Sequence, residues 1–335
     1  MVLLMLLMEI LLYQTTFDRM KDQLSKQAPT VTPVIMDDKG VLNRDGETIE
    51  PADISPEVAF ACSDLYSRGP SAEFMTFLLK SKTMRWVQSG AAGFDHPVFK
   101  ALVDNGIRLT SNNASAKAIA EFVMASVLNY FQPFSERFES QKQQSWNRIE
   151  FQELSSKKWL IIGLGNIGRE IAQRAAAFDC QVTGLRRTPT GNEEADFVIT
   201  PDRLMDALPE ADVVVLAASL NEESKQLVNK DFLDRLKPST VLVNIARGSL
   251  IDESALLQSL DKGKPAYAIL DVFETEPLPQ ESPFWGHPRV QVTSHCSAHT
   301  PEKRARGDEV FLNNLKRYMA EQDLLLEIHR SAFDK

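Results

Sequence analysis

The feature that most constrains the fold of this chain is the run WLIIGLGNIG at positions 159–168. A short apolar segment of strand character ends in Gly163, Gly165 and Gly168 with G-x-G-x-x-G spacing, and a helical pattern continues over 167–180. The first glycine of such a unit allows a tight turn, the second lets the backbone approach a pyrophosphate, and the third allows close packing of helix on strand. A glycine-rich turn in another kind of α/β protein is the alternative, but strand, turn and helix occur here in the required order. The run therefore predicts a dinucleotide-binding turn near mid-chain.

Apolar runs of strand character alternate with helical patterns on both sides of this turn. Such alternation predicts βαβ units on parallel sheets, and two separate series predict two α/β domains of Rossmann-like or flavodoxin-like type. A helical stretch over 116–130 separates the series and is expected to bridge the domains, with ligand bound in the cleft between them. The strand-like runs are 8–13, 30–36, 58–62 and 84–89, then 181–186, 196–200, 211–218, 240–246, 266–273 and 290–295; further helical patterns are 17–27, 71–81 and 301–321.

Composition and charge exclude several classes of protein. The chain has 335 residues, 43% hydrophobic and 25% charged, which is typical of soluble globular proteins rather than disordered or collagen-like chains. A net charge of −9 offers no basic field to a nucleic-acid backbone, so nucleic acid is not an expected partner. The three scattered cysteines, Cys62, Cys180 and Cys296, lack metal-ligand spacing and fit a reducing compartment, so no metal is expected.

The first residues, MVLLMLLMEILLY, look at first like the core of a signal peptide. However, no basic residue precedes them, Glu9 interrupts them, no small-residue cleavage site follows, and the run is too short to span a bilayer. We interpret Met8–Tyr13 as the first strand, and residues 1–7 as a small extension or a product of start-site choice. A cytoplasmic protein that does not associate with membranes is expected.

Three reactive side chains follow strands of the second series. Arg247, Glu276 and His295 each stand at or just beyond the end of a strand-like run. The carboxyl ends of parallel strands meet at one edge of a sheet, where open α/β sheets bind their ligands. An arginine there can clamp a carboxylate through two parallel charge-assisted hydrogen bonds, and a histidine can hold a transferable proton near neutral pH. The three positions predict a site for acid–base chemistry on a carboxylate-bearing substrate.

Spacing alone leaves alternatives to these assignments. A lone Arg247 would more readily be a solvated arginine in a turn. Glu274 lies two residues before Glu276 and would face the same side of an extended segment. His299 is the closest competitor of His295, being four residues further on. The remaining histidines are His96, His287 and His329.

The chain resembles the D-isomer-specific 2-hydroxyacid dehydrogenases from Met8 onwards, most closely over 157–300. The segments that carry the resemblance are GLGNIG at 163–168, NIARGSLIDESAL at 244–256, LDVFETEPLP at 270–279 and SPFWGHPRVQVTSH at 282–295. In this family the nucleotide domain is inserted into the chain of the substrate domain. The resemblance therefore implies a substrate domain of residues 1–114 and 300–335 and an NAD(P)-binding Rossmann domain of residues 115–299.

The resemblance also implies roles for the three reactive residues. Arg247 corresponds to the family's substrate arginine, Glu276 to the carboxylate that supports the histidine, and His295 to the acid/base histidine. By its negative charge Glu276 would orient the ring and favour its protonated form. Glutamate at this position also speaks against formate dehydrogenase, a relative whose reaction needs no proton exchange.

Two looser features of the resemblance concern substrate and assembly. The stretch WVQSGAAGFDHP at 86–97 is similar to the family's loop whose backbone amides hold the substrate carboxylate, here those of Ala91 and Ala92. Trp146 lies near a region that approaches the dimer interface in relatives. The family resemblance itself implies a homodimer that acts on a small-molecule substrate.

The second strand of the nucleotide domain ends in Leu185-Arg186-Arg187-Thr188, where NAD-binding sheets usually place an acidic residue on the ribose 2′-hydroxyl. Two guanidinium groups and a hydroxyl suit a 2′-phosphate, and acidic repulsion is missing from this stretch. NADP(H) is therefore the preferred cofactor, with NAD(H) possible; arginines that only solvate the strand end or stack on adenine would fit either. The expected cofactor-binding residues are Gly163, Gly165, Asn166, Ile167, Gly168, Arg186, Arg187, Thr188, Ala218, Ser219, Ala246 and Asp271.

These features predict an oxidoreductase that uses NAD(P)H to reduce a small 2-keto acid, of the glyoxylate or hydroxypyruvate type, to a D-2-hydroxy acid. Two alternatives stay open. One is a dinucleotide-sensing binding protein, like the transcriptional corepressors that resemble these enzymes. The other is an NAD-dependent oxidising enzyme of the phosphoglycerate or phosphite type, against which the arginine pair argues.

Overall fold

The computed structural model describes residues 8–333, which form two compact units. One unit comprises the described residues up to Ala114 together with those from Thr300 onwards, and the other runs from Ser115 to His299. The second unit is thus inserted into the chain of the first. The interpretation of residues 1–7 as an extension concerns a segment outside the described residues.

Strands and helices alternate along most of the chain. The first unit begins with β1 (Met8–Tyr13), α1 (Gln14–Gln27), β2 (Val31–Met36), β3 (Leu42–Arg44), β4 (Glu47–Thr48), β5 (Val58–Ala61), α2 (Ser63–Arg68), α3 (Ser71–Lys80), β6 (Trp86–Ser89), α4 (Pro97–Asp104) and β7 (Arg108–Thr110). The second unit contains α5 (Ala116–Phe131), α6 (Phe134–Lys142), β8 (Lys158–Ile162), α7 (Asn166–Ala176), β9 (Gln181–Leu185), β10 (Phe197–Ile199), α8 (Leu204–Ala207), β11 (Val213–Leu216), α9 (Lys230–Arg235), β12 (Val241–Asn244), α10 (Glu253–Asp261), β13 (Tyr267–Leu270) and β14 (Val290–Val292). The chain then returns to the first unit with α11 (Pro301–Met319) and β15 (Glu327–Ile328).

The strands within residues 8–333 form two sheets. In the first unit the order is β15-β7-β6-β5-β1-β2-β3-β4, and its parallel strands follow the flavodoxin-like order 2-1-3-4-5. In the second unit the order is β10-β9-β8-β11-β12-β13-β14, all parallel, which is the Rossmann order 3-2-1-4-5-6 with one further strand. The prediction of an α/β fold with two parallel-dominated sheets is confirmed.

The central strands of the second sheet are buried on both faces, which explains why they consist largely of continuous apolar runs. In β11, every residue from Val213 to Leu216 has no exposed surface. Val213 and Val215 join the apolar cluster that contains α5 and α7, whereas Val214 and Leu216 join the cluster on the opposite face. The alternation of a strand thus supplies both cores at once.

Three of the differences from the sequence predictions concern the glycine turn, the histidine loop and the first sheet. The helix after the glycine turn ends at Ala176 rather than near residue 180, because Asp179 takes φ +57° and Cys180 N donates to Ala175 O in a Schellman-type C-terminus. The last strand of the second sheet ends at Val292, so His295 lies in the loop beyond it. In the first unit, β3 and β4 form an unpredicted antiparallel hairpin at Asp45-Gly46, both with positive φ.

Buried ion pairs anchor the returning helix α11 to the start of the chain. Arg19 donates to Asp308 on α11 and, at 2.9 Å, to Asp64, while Arg304 Nε donates to Asp64 at 2.7 Å. Burial alone would raise the pKa of Asp64, but the guanidinium groups of Arg19 and Arg304 hold it below its usual value. These contacts make residues from Thr300 onwards part of the first unit.

No helix in the described part of the chain is long and apolar enough to cross a membrane.

Candidate active site

The glycine turn joins β8 to α7, and its three glycines have different surroundings. A Cβ on Gly163, which has φ +106°, would lie 2.7 Å from the carbonyl carbon of Ala217 and from Ala218 N. A Cβ on Gly168 would lie 2.0 Å from Gly163 O, so helix and turn pack backbone to backbone. A Cβ on Gly165 would meet no atom within 4 Å. Two glycines are therefore required by packing, and Gly165 leaves open space.

This open space lies where a dinucleotide pyrophosphate can be held. Gly165 is the N-cap residue of α7 and has no side chain to accept a hydrogen bond from the first helical amides. The backbone N–H groups of Asn166, Ile167 and Gly168, at the positive end of the helix dipole, can therefore bind an anion. The turn follows β8, and β8 is paired with β11, which leads into the loop that contains residue 217. The strand order of the sheet reverses between these two neighbouring strands. Ligands bind at that point of open α/β sheets. The residues present fit an NAD(P) cofactor.

The loop after β11 contacts the glycine turn and is itself well ordered by hydrogen bonds. Ala218 N lies at the packing contact with Gly163. The adjacent Ser219 is exposed, and its carbonyl oxygen accepts from Ser224 Oγ at 2.8 Å. Ala246, after β12, is buried and its amide donates to Asn244 Oδ1 at 3.1 Å. The structure thus places Ala218 beside the turn; the cofactor contacts of these residues stay predictions.

The strand end at Arg186-Arg187-Thr188 is less free of acidic groups than the sequence indicates. Arg186 Nη1 lies 3.6 Å from Glu193 Oε1, and Arg187 Nη2 lies 3.0 Å from Glu223 Oε2. The stretch itself contains no acidic residue, but two carboxylates from other loops lie beside its arginines. Glu193 lies in the loop after β9 and Glu223 in the loop after β11. Neither occupies the end of β9, where NAD-binding sheets usually have an acidic residue. Thr188 is exposed.

His295 and Glu276 form a pair beyond the ends of β13 and β14. His295 Nδ1 and Glu276 Oε2 lie 2.8 Å apart, and Glu276 Oε1 accepts from Phe273 N at 3.0 Å. Both side chains keep solvent access, with 51% of His295 and 36% of Glu276 exposed. With Nδ1 donating to the carboxylate, Nε2 is the ring nitrogen that can exchange a proton with a ligand. The geometry is that of a carboxylate-oriented acid–base histidine.

The buried carboxylate of Asp271 holds the loop that carries His295. Asp271 has no exposed surface, and its two oxygens accept hydrogen bonds from Thr293 Oγ1 at 2.6 Å, Cys296 N at 2.9 Å and Ser297 N at 3.1 Å. The carbonyl oxygen of Asp271 also accepts from His295 N at 2.8 Å. His295 itself has φ +50°, a conformation that such bonds stabilise. Asp271 is thus a positioning residue for His295, and its predicted cofactor contact stays a prediction.

Arg247 lies in a turn that packs against the segment leading to Glu276. A Cβ on the next residue, Gly248, would lie 1.8 Å from the carbonyl carbon of Phe273. Asn244 Nδ2 donates to Arg247 O at 2.9 Å, and Arg247 Nη1 donates to the preceding carbonyl oxygen at 2.7 Å. The arginine turn and the glutamate segment are therefore neighbours whose spacing the backbone fixes.

The surroundings of Glu276 and His295 differ from those of some of the alternative residues. Glu276 pairs with His295, whereas Glu274 is exposed and uses its amide to donate to Glu253 Oε1 at 2.8 Å. Two competing histidines use Nδ1 to accept a backbone N–H, His96 from Val98 and His287 from Arg289. Neither has the carboxylate–Nδ1 arrangement of His295.

Ala91 and Ala92 belong to the first unit. Ala91 is partly exposed and Ala92 exposed, just beyond β6. The Ala91 amide donates to Ser89 Oγ at 3.1 Å. Their role in holding a substrate carboxylate stays a prediction. In the described part of the chain, no group of histidine, cysteine, aspartate and glutamate residues could hold a metal ion.

Sequence reasoning missed the structural roles of Gly248 and Glu193. Gly248 follows Arg247 directly, but nothing in the sequence tells that the backbone of Phe273 passes next to it. Glu193 is seven residues from Arg186 in a polar loop, where charged residues are common. The nearest available signal is the local pair Thr190-Gly191 before it, which favours a turn.

Comparison with known proteins agrees with this architecture. The family model described as "D-isomer specific 2-hydroxyacid dehydrogenase, NAD binding domain" matches residues 124–297, just over half of the chain. A solved structure of a D-isomer specific 2-hydroxyacid dehydrogenase family protein from Aeromonas salmonicida superposes with a TM-score of 0.81 at 27% identity, covering 97% of this chain and 99% of that one. The fold and the site define an α/β protein with a dinucleotide-binding domain. The chain belongs to the D-isomer-specific 2-hydroxyacid dehydrogenase family, whose members are NAD(P)-dependent.

Two further proteins are similar to this chain over part of its length. Glyoxylate/hydroxypyruvate reductase A of Serratia proteamaculans is 33% identical over 200 residues, which is 60% of this chain and 64% of that protein. D-3-phosphoglycerate dehydrogenase of Bacillus subtilis is 33% identical over 226 residues, which is 67% of this chain and 43% of that protein. The matched segments thus span less than two thirds of either relative.

Proposed function

We propose that the protein is an NADPH-preferring reductase that converts a small 2-keto acid, of the glyoxylate or hydroxypyruvate type, to a D-2-hydroxy acid. The observation that carries this proposal is the 2.8 Å contact between His295 Nδ1 and Glu276 Oε2 beyond the carboxyl edge of the dinucleotide-binding sheet. Reduction of a keto group needs one proton on the oxygen for each hydride on the carbon, and this pair is suited to deliver it. The similarity to a glyoxylate/hydroxypyruvate reductase supports the substrate class.

The nicotinamide, when bound, supplies the hydride that reduces the carbonyl carbon. His295 gives the proton from Nε2 to the carbonyl oxygen and takes it back in the reverse reaction. Glu276 accepts from Nδ1 and so leaves Nε2 as the ring nitrogen that transfers the proton. Asp271 keeps the histidine loop in place through the hydrogen bonds described above. Proton transfer, ring orientation and loop positioning are thus divided among three side chains.

Arg247 is the proposed binding group for the substrate carboxylate. Its guanidinium can donate two parallel hydrogen bonds to a carboxylate, a geometry that an ammonium group does not offer. Such binding places the keto group next to the carboxylate in one orientation, which favours a 2-keto acid over a simple ketone. The turn that carries Arg247 is fixed against Phe273 at Gly248, so the arginine and the His295–Glu276 pair are positioned by the same segment.

The proposed preference for NADPH rests on Arg186, Arg187 and Thr188. Replacing Arg186 by alanine is expected to raise the KM for NADPH about tenfold and to change the KM for NADH little, because a charge-assisted hydrogen bond to the 2′-phosphate is lost. The measurement is the initial rate of NADPH and NADH oxidation with glyoxylate, hydroxypyruvate and other 2-keto acids. Arg235→Ala, an exposed arginine on α9, is the matched control. Equal effects on both cofactors would contradict the assignment, and no turnover with any 2-keto acid would contradict the proposed function.

An NAD-dependent oxidising enzyme of the phosphoglycerate type is the second candidate. It is supported by the similarity to D-3-phosphoglycerate dehydrogenase and by the carboxylates of Glu193 and Glu223 beside the arginines. The two candidates differ in the same assay run in the oxidising direction. NAD⁺ reduction with 3-phosphoglycerate, without NADPH-dependent reduction of glyoxylate, would select the second.

We further propose that the protein is a cytoplasmic homodimer that uses the segment from α6 to Phe151 as its interface. Four aromatic residues of this one segment, Phe134, Phe138, Trp146 and Phe151, are 43%, 60%, 94% and 52% exposed, and grouped exposed apolar residues mark interaction sites. Phe138→Asp combined with Trp146→Asp is expected to yield a monomer in sedimentation velocity, whereas Phe178→Asp, at another exposed aromatic residue, leaves the dimer intact. A dimer that survives the double substitution would refute this interface.

A further inference from the structure

The loop after β9 folds around the carboxylate of Glu193. Thr190 donates to Glu193 Oε1 through both its amide, at 2.5 Å, and its hydroxyl, at 2.9 Å, and Gly191 N donates to Oε2 at 2.9 Å. Arg186 Nη1 lies 3.6 Å from the same Oε1. Only 3% of the Glu193 side chain is exposed. The carboxylate is therefore enclosed by donors on several sides.

This set of donors is the kind that binds a phosphate. Successive backbone N–H groups form an anion-binding concavity, and a hydroxyl and a guanidinium add charge-assisted hydrogen bonds. The amide of Thr190 also holds the pKa of Glu193 below its usual value, so the bound group is an anion at neutral pH. An anion-binding pocket is thus already filled by an anion of the chain itself.

The position of this pocket links it to the cofactor. Dinucleotide-binding sheets hold the ribose 2′ position of the adenosine half at the end of the second strand, which is β9 here. Arg186 directly follows β9, and the acidic residue that it contacts, Glu193, lies in the loop after the same strand. Residues 187–192 are exposed and Gly191 has φ +81°, so this loop can rearrange without opening the core.

We propose that the Glu193 carboxylate occupies the position that the 2′-phosphate of NADPH takes, and that NADPH binds by displacing it. Glu193 is then a specificity-determining residue: it opposes the arginines and lowers the affinity for NADPH without affecting NADH. This inference rests on the proposed cofactor site but not on which cofactor the wild-type protein prefers.

The opposite role for Glu193 makes a different prediction. A glutamate near the end of β9 can accept hydrogen bonds from the ribose hydroxyls of NADH, as acidic residues do in NAD-binding sheets. In that case loss of the carboxylate weakens NADH binding. The two roles therefore predict opposite changes on different cofactors.

The test is the dissociation constant of NADPH, NADH and adenosine 2′,5′-bisphosphate, measured by calorimetry for the full chain and Glu193→Gln. We expect NADPH and the bisphosphate to bind about tenfold more tightly to the variant, since an ionic competitor is removed, and NADH to change less than twofold. Glu210→Gln, which removes the same charge from an exposed pair with Lys158 at the amino end of β8, should leave all three constants unchanged. Unfolding midpoints are recorded for each variant.

Three outcomes would overturn the inference. NADH binding that weakens in Glu193→Gln assigns the carboxylate to the ribose hydroxyls. An equal gain for NADPH and NADH assigns the effect to net charge. Loss of NADPH binding in Glu193→Gln, with Glu193→Asp behaving as wild type, assigns the carboxylate to ordering the loop. A wild-type preference for NADH with the expected shift in Glu193→Gln would refute the NADPH preference in the proposed function and leave this inference standing.

Discussion

Replacement of His295 by glutamine is expected to lower kcat/KM for 2-keto acid reduction about 10³-fold, because a positioned general acid contributes 10²- to 10⁴-fold. Glutamine keeps much of the side-chain volume and can still hydrogen bond to Glu276, but it has no proton to transfer at neutral pH. Since the substitution leaves the glycine turn untouched, the dissociation constant of NADPH should stay within about twofold. The measurement combines steady-state rates with cofactor binding by the same protein preparation.

His299→Gln is the matched control for this prediction. It removes an imidazole four residues away in the same loop, where His299 N donates to Cys296 O at 2.8 Å, and it should retain most of the activity. If His299→Gln is the inactive variant and His295→Gln is active, the assignment of the acid is wrong. If both retain activity, the proton comes from another group.

The second large effect is expected at Gly248. Alanine there would place a Cβ 1.8 Å from the carbonyl carbon of Phe273, with Glu274 N at 2.2 Å, and neither is a side chain that can rotate away. The turn of Arg247 and the segment of Glu276 must therefore move apart. We expect kcat/KM to fall about 10²-fold, as misplacement of binding groups by about 1 Å does, and the free energy of unfolding to fall by about 2 kcal/mol.

Gly286→Ala separates this effect from the general cost of adding a methyl group. A Cβ on Gly286 would meet no atom within 4 Å, so its activity and unfolding free energy should match wild type. The readouts are chemical denaturation and the separate values of kcat and KM. Full activity of Gly248→Ala would mean that the spacing of the two segments does not matter for the reaction.

The parts of the fold that sequence could predict are those where one residue property repeats. Residues 159–162 of β8, 213–216 of β11 and 241–243 of β12 are continuous apolar runs because both faces of the sheet are buried there, and this pattern can be read from the sequence. The edge strands β4 and β15, and β3 next to β4, are two or three residues long and partly polar, so no periodicity distinguishes them from loops. The turn signal Asp45-Gly46 is present in the sequence but lies between segments too short to be read as strands.

The candidate site was predictable in residue type but not in its supporting contacts. Strand ends and family resemblance predict His295 and Glu276. Only the structure shows Glu276 Oε1 accepting from Phe273 N, which turns this glutamate and not Glu274 toward the histidine. Asp271 binds donors 22 to 26 residues further along the chain, and such convergence depends on the whole second sheet. Local sequence contains no information on contacts of that range.

The insertion of the second unit has a consequence for synthesis on the ribosome. Arg19 and Asp64 emerge early, but Arg19 lies 289 residues from Asp308, and Asp64 lies 240 residues from Arg304. Translation adds residues from the N-terminus at about 5–20 per second, so these partners are made only after the whole inserted unit. The first unit therefore begins to be synthesised before the inserted unit, but it can form its buried ion pairs only after α11 has been synthesised.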